Sequence, residues 1–516
     1  MPDSSPRGAS SFADLLKARA GTAAAILAPE RQPLTFDGLA ALAADTGGWL
    51  NAHGIGRQDR VAIVLPNGPE MAAAFLAVGA SATTCPLNPA YRAEEFAFYL
   101  DDLKAKALLL PAGSDSPAAA VARERGVAVI ELETGPEAPA GRFALRGEGP
   151  GGSAAAGPAE AGDVALILHT SGTTSRPKIV PLTHANLLAS AGHIAASLAL
   201  TPADRCLNVM PLFHIHGLIA AVLSSLASGG SVFCTPGFNA LRFMGWLQEA
   251  GASWYTAVPT MHQAILARGQ RQPEAAKAAG LRFVRSSSAS LPPQTMRAVE
   301  ALFGCPVIES YGMTEASHQM ASNELPPGQR KPGSVGCPAG PEVMILTPDG
   351  ERSGAAEVEG EVVIRGPNVT AGYESNPKAN AESFVEDAGG PWFRTGDQGR
   401  FDADGFLAIT GRLKEIINRG GEKISPLEVD EVLMDHPAVA QCVTFAMPHE
   451  KLGEEVAAAV VLAEGQSVEE RALKDFLAER LADFKVPRKI LFLEEIPKGA
   501  TGKLQRIGLA QRLGLG

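Results

Sequence analysis

The sequence predicts an α/β fold of at least two domains. Short apolar runs of strand length alternate with longer stretches that repeat apolar residues at helical spacing, the pattern of βαβ units and a mostly parallel sheet. The chain has 516 residues, more than one simple core accommodates. Past a Gly-rich junction at 411–424 the pattern becomes helix, strand, helix, strand, which suits a small α+β domain. The expected division is a large part at 1–411, built of several mostly parallel units, and a small one at 412–516.

The elements follow in order. Residues 39–50 predict an amphipathic helix and 60–65 a buried strand, stopped by Pro66-Asn67-Gly68-Pro69. Helices are expected at 70–79 and 93–103, and a strand at 107–110. Residues 134–162 are rich in Gly, Ala, Pro and Glu, so they predict an exposed connector. Residues 164–168 are apolar and short, as a covered strand should be. Leu187, Ala191, Ile194 and Leu198 then recur at helical spacing. Strand-and-turn segments follow at 254–260, 282–291, 307–312 and 361–373, with a Thr-Gly-Asp turn at 395–397. Beyond the junction, 426–436 and 468–483 predict helices, 439–446 a strand, and Pro487 precedes the last strand.

Composition excludes several functions. The chain is 46% hydrophobic and 20% charged, an ordinary soluble balance. It has no apolar run long enough to span a bilayer. Residues 1–11 lack the apolar core of a signal peptide and the last three residues are not a peroxisomal address, so a cytoplasmic location is expected. Six scattered cysteines form no Cys-x-x-Cys pair and read as reduced thiols. A net charge of −11 disfavours nucleic-acid binding. An anionic ligand must therefore be held by local donors.

One stretch offers such donors: Thr170-Ser171-Gly172-Thr173-Thr174-Ser175-Arg176-Pro177-Lys178. Placed between a strand end and a helix, its hydroxyls and main-chain N–H groups can meet phosphate, Gly172 permits close approach, and Lys178 adds charge. It is not a Walker loop, which ends in Gly-Lys-Ser/Thr. His214 and His216 stand two apart in Met-Pro-Leu-Phe-His-Ile-His-Gly, without further metal ligands close in sequence. Ser287 and Ser288 lie in a serine-rich turn.

Taken together, residues 170–178, Glu309-Ser310-Tyr311-Gly312-Met313-Thr314-Glu315, Thr395-Gly396-Asp397, Gly411-Arg412-Leu413-Lys414 and Thr501-Gly502-Lys503 resemble, in family order, the motifs of the adenylate-forming superfamily. That family holds acyl-CoA synthetases, luciferases and peptide-synthetase adenylation domains. Ser175 and Ile179 stand where it usually has Gly. The resemblance covers nearly the whole chain after Pro33 and implies a large N-terminal domain with a small mobile C-terminal one. It also implies an ATP-dependent acid–CoA ligase that works through an acyl-adenylate, with Mg²⁺ and coenzyme A.

Roles follow residue by residue from the resemblance. Residues 170–178 grip the phosphates of ATP. Ala289, Glu309 and Ser310 run beside the adenylate and Tyr311 stacks on adenine. Thr314 donates to the α-phosphate and Glu315 helps hold Mg²⁺. Asp397 accepts the ribose hydroxyls, and Arg412 contacts ribose and phosphate. Lys414 is the hinge, Gly420 and Gly421 flank the pantetheine arm, and Lys503 is the catalytic lysine of adenylation. His214 lies beside the acid pocket and gates the thiol; His216 has no assigned role. A helix expected after Thr314 puts His318 near Thr314 at i to i+4 spacing, facing the pocket of Ser288.

Within the family, residues 170–178, 286–291 and 313–318 look most like the branch that activates oxalate, with Ser288 and His318 holding the acid and His214 nearby. The alternatives are a CoA ligase for another small, medium-chain or aromatic acid and, from a different class, a nucleotide-binding protein without turnover. The expected partner is a small carboxylic acid, with no nucleic acid and no membrane insertion, in a monomer or homodimer.

Overall fold

A computed structural model describes residues 9–152, 155–170, 177–498 and 504–515. Among the described residues the strands form four sheets. A seven-stranded sheet runs in the order Ala144–Gly147, Ala128–Glu133, Ala107–Pro111, Arg60–Ile63, Thr83–Pro86, Val164–Thr170, Lys178–Thr183. Its five inner strands are parallel and its two edges antiparallel. A nine-stranded sheet has a parallel centre, which includes Arg205–Asn208, Trp254–Ala257, Phe283–Ser286 and Val307–Met313. His318–Ser322 adds to it antiparallel.

One apolar cluster joins the two sheets through the helices Phe36–Ala52, Pro69–Gly79 and His184–Ser197. In Pro69–Gly79 every residue but Glu70 is buried. A helix apolar on all sides needs a layer on each side, and this one has them. A third, antiparallel sheet contains Gly360–Arg365, Trp392–Phe401 and Leu407–Arg412. The fourth draws on Ile417–Arg419, Glu422–Ile424, Val439–His449, Gly453–Leu462 and Lys489–Phe492, with the helices Pro426–Met434 and Glu470–Ala478 packed on its own core. We propose that the domain division lies between residues 411 and 412.

Three local expectations change. The segment after Thr170 does not lead directly into a helix. Lys178–Thr183 is an antiparallel strand, with Ile179, Val180 and Leu182 buried, and the helix follows from His184, capped by Thr183, past the exit that Pro181 and Thr183 mark. The connector at 134–162 contributes the edge strand Ala144–Gly147 and buries Ala140 and Phe143. The helix expected over 468–483 spans Glu470–Ala478.

Candidate active site

Asp397 sits within the long strand Trp392–Phe401, not on a turn, and pairs in register with Arg412 of Leu407–Arg412. Gly396, at φ 75°, sets the local twist that a Thr-Gly-Asp sequence suggests for a turn. The Arg412 Nε–H donates to Asp397 Oδ1 at 3.0 Å, and the Tyr311 hydroxyl donates to Oδ2 at 2.5 Å. Asp397 is buried while the Arg412 side chain is 55% exposed, so one face of the pair remains open to a ligand. Asp397 holds the Arg412 guanidinium above its ordinary range; burial, then Asp397, push the Tyr311 hydroxyl up.

A second group forms around Glu315. The Tyr373 hydroxyl donates to Glu315 Oε1 at 2.8 Å, and Lys178 Nζ lies 4.2 Å above the Tyr373 ring. Burial raises the Glu315 carboxyl; the Tyr373 hydrogen bond, Lys178 and Arg412 oppose that rise. Burial and then Lys414 lower the Lys178 ammonium. The residue expected as hinge thus lies within electrostatic reach of Lys178, although 414 and 178 are far apart in sequence. Among the described residues no group of three or more His, Cys, Asp or Glu could hold a metal. Glu315 is a single hard oxygen donor, which fits a Mg²⁺ held by one carboxylate and the phosphates of its nucleotide.

The third group is built on histidine. His216 opens a π-helix, His216–Leu223, and is buried. Its Nδ1 lies 3.0 Å from Ser288 Oγ and its Nε2 2.6 Å from Thr256 Oγ1. The His318 ring meets the His216 ring edge to face at 5.0 Å. Ser288 and His318 therefore converge on His216, the histidine to which sequence reasoning assigns no role. A signal existed: in the apolar run 216–223 a buried imidazole must find polar partners. The His214 ring packs on Phe213 at 4.6 Å and is half-buried.

His318 does not follow a helix. Thr314–Ala316 is a single 3₁₀ turn, closed by the Ser317 N–H on the Thr314 carbonyl, and His318 begins the antiparallel strand opposite Met313. Ser317 at φ 50° and His318 at φ 103° are left-handed, which ends any helix there. The hairpin needs Gly312: a Cβ at that position meets the His318 carbonyl oxygen at 2.0 Å and Nδ1 at 2.8 Å.

Other expected site residues fall around these groups. Glu309 is buried and accepts the Leu291 N–H at 2.8 Å, so it anchors the 286–291 turn. Ser310 is buried, with its carbonyl accepting the Ser287 hydroxyl at 2.9 Å, and Ala289 is exposed. Thr170 pairs with Lys178 at the end of the hairpin, with Pro177 half-buried beside it. Gly420 and Gly421 are exposed at the tip between Ile417–Arg419 and Glu422–Ile424, at φ 59° and 104°. Ser171, Gly172, Thr173, Thr174, Ser175, Arg176 and Lys503 lie outside the described residues. Tyr373, which binds Glu315, ends the strand-and-turn segment 361–373 and has no role assigned from sequence.

Residues 15–374 match the family described as AMP-binding enzyme, and residues 428–503 match the AMP-binding enzyme C-terminal domain. The chain is 48% identical over 466 residues to an oxalate–CoA ligase of Arabidopsis thaliana, covering 89% of each chain. It is 44% identical over 478 residues to an oxalate–CoA ligase of Saccharomyces cerevisiae, covering 88% of this chain and 87% of that one. Among solved structures it resembles ATP-bound MatB from Rhodopseudomonas palustris, with a TM-score of 0.86, 29% identity and 98% of both chains covered.

Proposed function

The chain belongs to the AMP-binding enzyme family, and from that membership we propose an ATP-dependent acid–CoA ligase whose acid is oxalate, converted with ATP and CoA to oxalyl-CoA, AMP and diphosphate. The observation that carries the choice of acid is the convergence of Ser288 and His318 on the buried His216. An acyl pocket floored by a hydroxyl and two imidazoles suits a short acid with polar atoms at both ends, since an alkyl chain would leave those groups desolvated and unpaired. The two oxalate–CoA ligases at 44% and 48% identity support the same reading.

In this reading the reaction has two steps. An oxalate oxygen attacks the α-phosphorus of ATP and diphosphate leaves; the CoA thiol then attacks the acyl carbon and AMP leaves. Asp397, with Arg412 fixed against it, orients the ribose, while Tyr311 lies along the base and Thr314 meets the α-phosphate. Residues 170–178 grip the departing phosphates. Glu315, oriented by Tyr373, is the protein ligand for Mg²⁺, which when bound neutralises phosphate charge. Lys503 supplies a positive charge where two anions must meet. Rotation about Lys414 then exchanges Lys503 for the Gly420–Gly421 tip, which borders the thiol's path, and His214 gates that path. We place the enzyme in the cytoplasm.

Mass spectrometry of the thioester formed with CoA, ATP and either oxalate, coumarate or octanoate tests this assignment. Oxalyl-CoA is the expected product, and exclusive formation of either other thioester would contradict it.

A further inference from the structure

Behind the histidine group lies a cation that none of the steps above uses. Arg285, in the strand Phe283–Ser286, is fully buried. A guanidinium carries five N–H donors. Among the described residues Nη1 reaches only Thr256 Oγ1, at 3.5 Å, and Nη2 only Gln319 Oε1, at 3.4 Å, while Nε has no acceptor. Among the described residues no carboxylate forms an ion pair with it. Burial pushes the guanidinium down to about 9, which still leaves it charged at neutral pH. A buried ion without a counter-ion is a poor structural element; an apolar residue of similar size packs that position at lower cost.

The neutral acceptors of Arg285 lead to the acid pocket by two routes. The first begins at Thr256. An arginine can only donate, so the Thr256 oxygen accepts from Nη1; we assign the Thr256 proton to His216 Nε2, 2.6 Å away. That leaves the His216 proton on Nδ1, donated to Ser288 Oγ at 3.0 Å. The Ser288 hydroxyl proton is then turned away from His216 and is available to an anionic oxygen. The second route is Gln319, next in sequence to His318. Its Oε1 faces Arg285, and its Nε2 donates to Ser197 Oγ at 2.9 Å and the Ala339 carbonyl at 3.2 Å, which fixes the amide's orientation.

We infer that Arg285 is a positioning residue for substrate charge: through Thr256 and His216 it turns Ser288 into a donor, and it supplies the positive field that a second carboxylate of the acid needs. It discriminates a dianion from a monoanion of the same size. The inference deepens the oxalate reading and rests on it.

The test compares oxalate with glyoxylate, which has one carboxylate fewer, in Arg285→Met, Arg285→Lys and Thr256→Val. In Arg285→Met the oxalate KM should rise roughly 30-fold, with kcat and the glyoxylate KM each moving less than about threefold. Arg285→Lys should recover part of the loss, because it restores charge without the fork. Thr256→Val, nearly isosteric, should raise the oxalate KM about tenfold by breaking the first route, and it decides the matter if Arg285→Met does not fold. An unchanged oxalate-to-glyoxylate KM ratio in the soluble variant would overturn the inference, as would equal losses for both acids. A wild type that activates oxalate alongside such a variant leaves the substrate reading standing; a wild type inert toward oxalate overturns both.

Discussion

The Asp397 carboxylate lies directly across the sheet from Arg412, with the arginine Nε 3.0 Å from Oδ1, and the Tyr311 hydroxyl occupies Oδ2. The pairing is set by strand register, so the three groups are oriented before any nucleotide arrives. Asp397→Asn should retain the fold and raise the ATP KM about tenfold or more, since a neutral amide no longer fixes the guanidinium. Arg412→Lys should not substitute for arginine, because an ammonium lacks the planar fork. ATP titrations of both variants check this.

In the proposed acid pocket His216 meets Ser288, Thr256 and His318, although His214 carries the motif resemblance. His216→Ala should lower kcat/KM for the acid by about 100-fold, by releasing Ser288 and Thr256 from their shared partner. His214→Ala should leave acid binding less affected and act mainly on the thiol-transfer step. Separate assays of ATP–diphosphate exchange and thioester formation distinguish the two.

Gly312 makes room for the histidine hairpin. A methyl group there requires the His318 carbonyl and ring to move, and the contact is with backbone. Gly312→Ala should therefore lose acid activation nearly as fully as His318→Ala. Combining the two should add little further loss, because both remove the same placement of one ring. Steady-state kinetics of the three variants read this directly.

Tyr373 stabilises the ionised form of Glu315 through the 2.8 Å hydrogen bond, against the burial that raises that carboxyl. Tyr373→Phe removes an opposing influence, so the Glu315 carboxyl should shift further upward. The acidic limb of the rate profile should then move to higher pH, and the Mg²⁺ concentration for half-maximal rate should rise about fivefold. Activity against pH and Mg²⁺ in wild type and variant gives both numbers.

Glu309 links stability to pH. Burial pushes its carboxyl up from 4.5 to about 8. Between those values the folded state keeps a proton that the unfolded chain has released, so this group makes stability fall as pH rises through the window. Glu309→Gln keeps an acceptor for the Leu291 N–H and cannot ionise. It should match wild type near pH 4.5 and gain up to roughly 4 kcal/mol over it near pH 8. Denaturant titrations at the two pH values measure the difference.

Much of the fold follows from local pattern. The helix Ala93–Leu103 and the strand starting at Ala107 lie where apolar spacing puts them. The Tyr311, Glu315, Asp397 and Arg412 positions are readable because each lies in a recognisable local motif. What is not readable depends on pairing across distance or on unusual backbone. His216 meets Ser288 across 72 positions, and Tyr373 meets Glu315 across 58. The left-handed Ser317 and His318 replace the expected helix with a hairpin. Asp397 looks like a turn residue because Gly396 precedes it, yet the cross-strand partner Arg412 keeps the chain extended. Arg285 is hidden for a simpler reason: a strand pattern shows which face a residue takes, not whether its charge has a partner.

The central claim is that the pocket of Ser288, His216 and His318 selects oxalate for adenylation. ATP–diphosphate exchange by the purified protein, measured with oxalate, coumarate and octanoate, tests it most directly. Oxalate should support exchange with a kcat/KM at least about 100-fold above the other two acids. Equal or faster exchange with coumarate or octanoate would contradict the account.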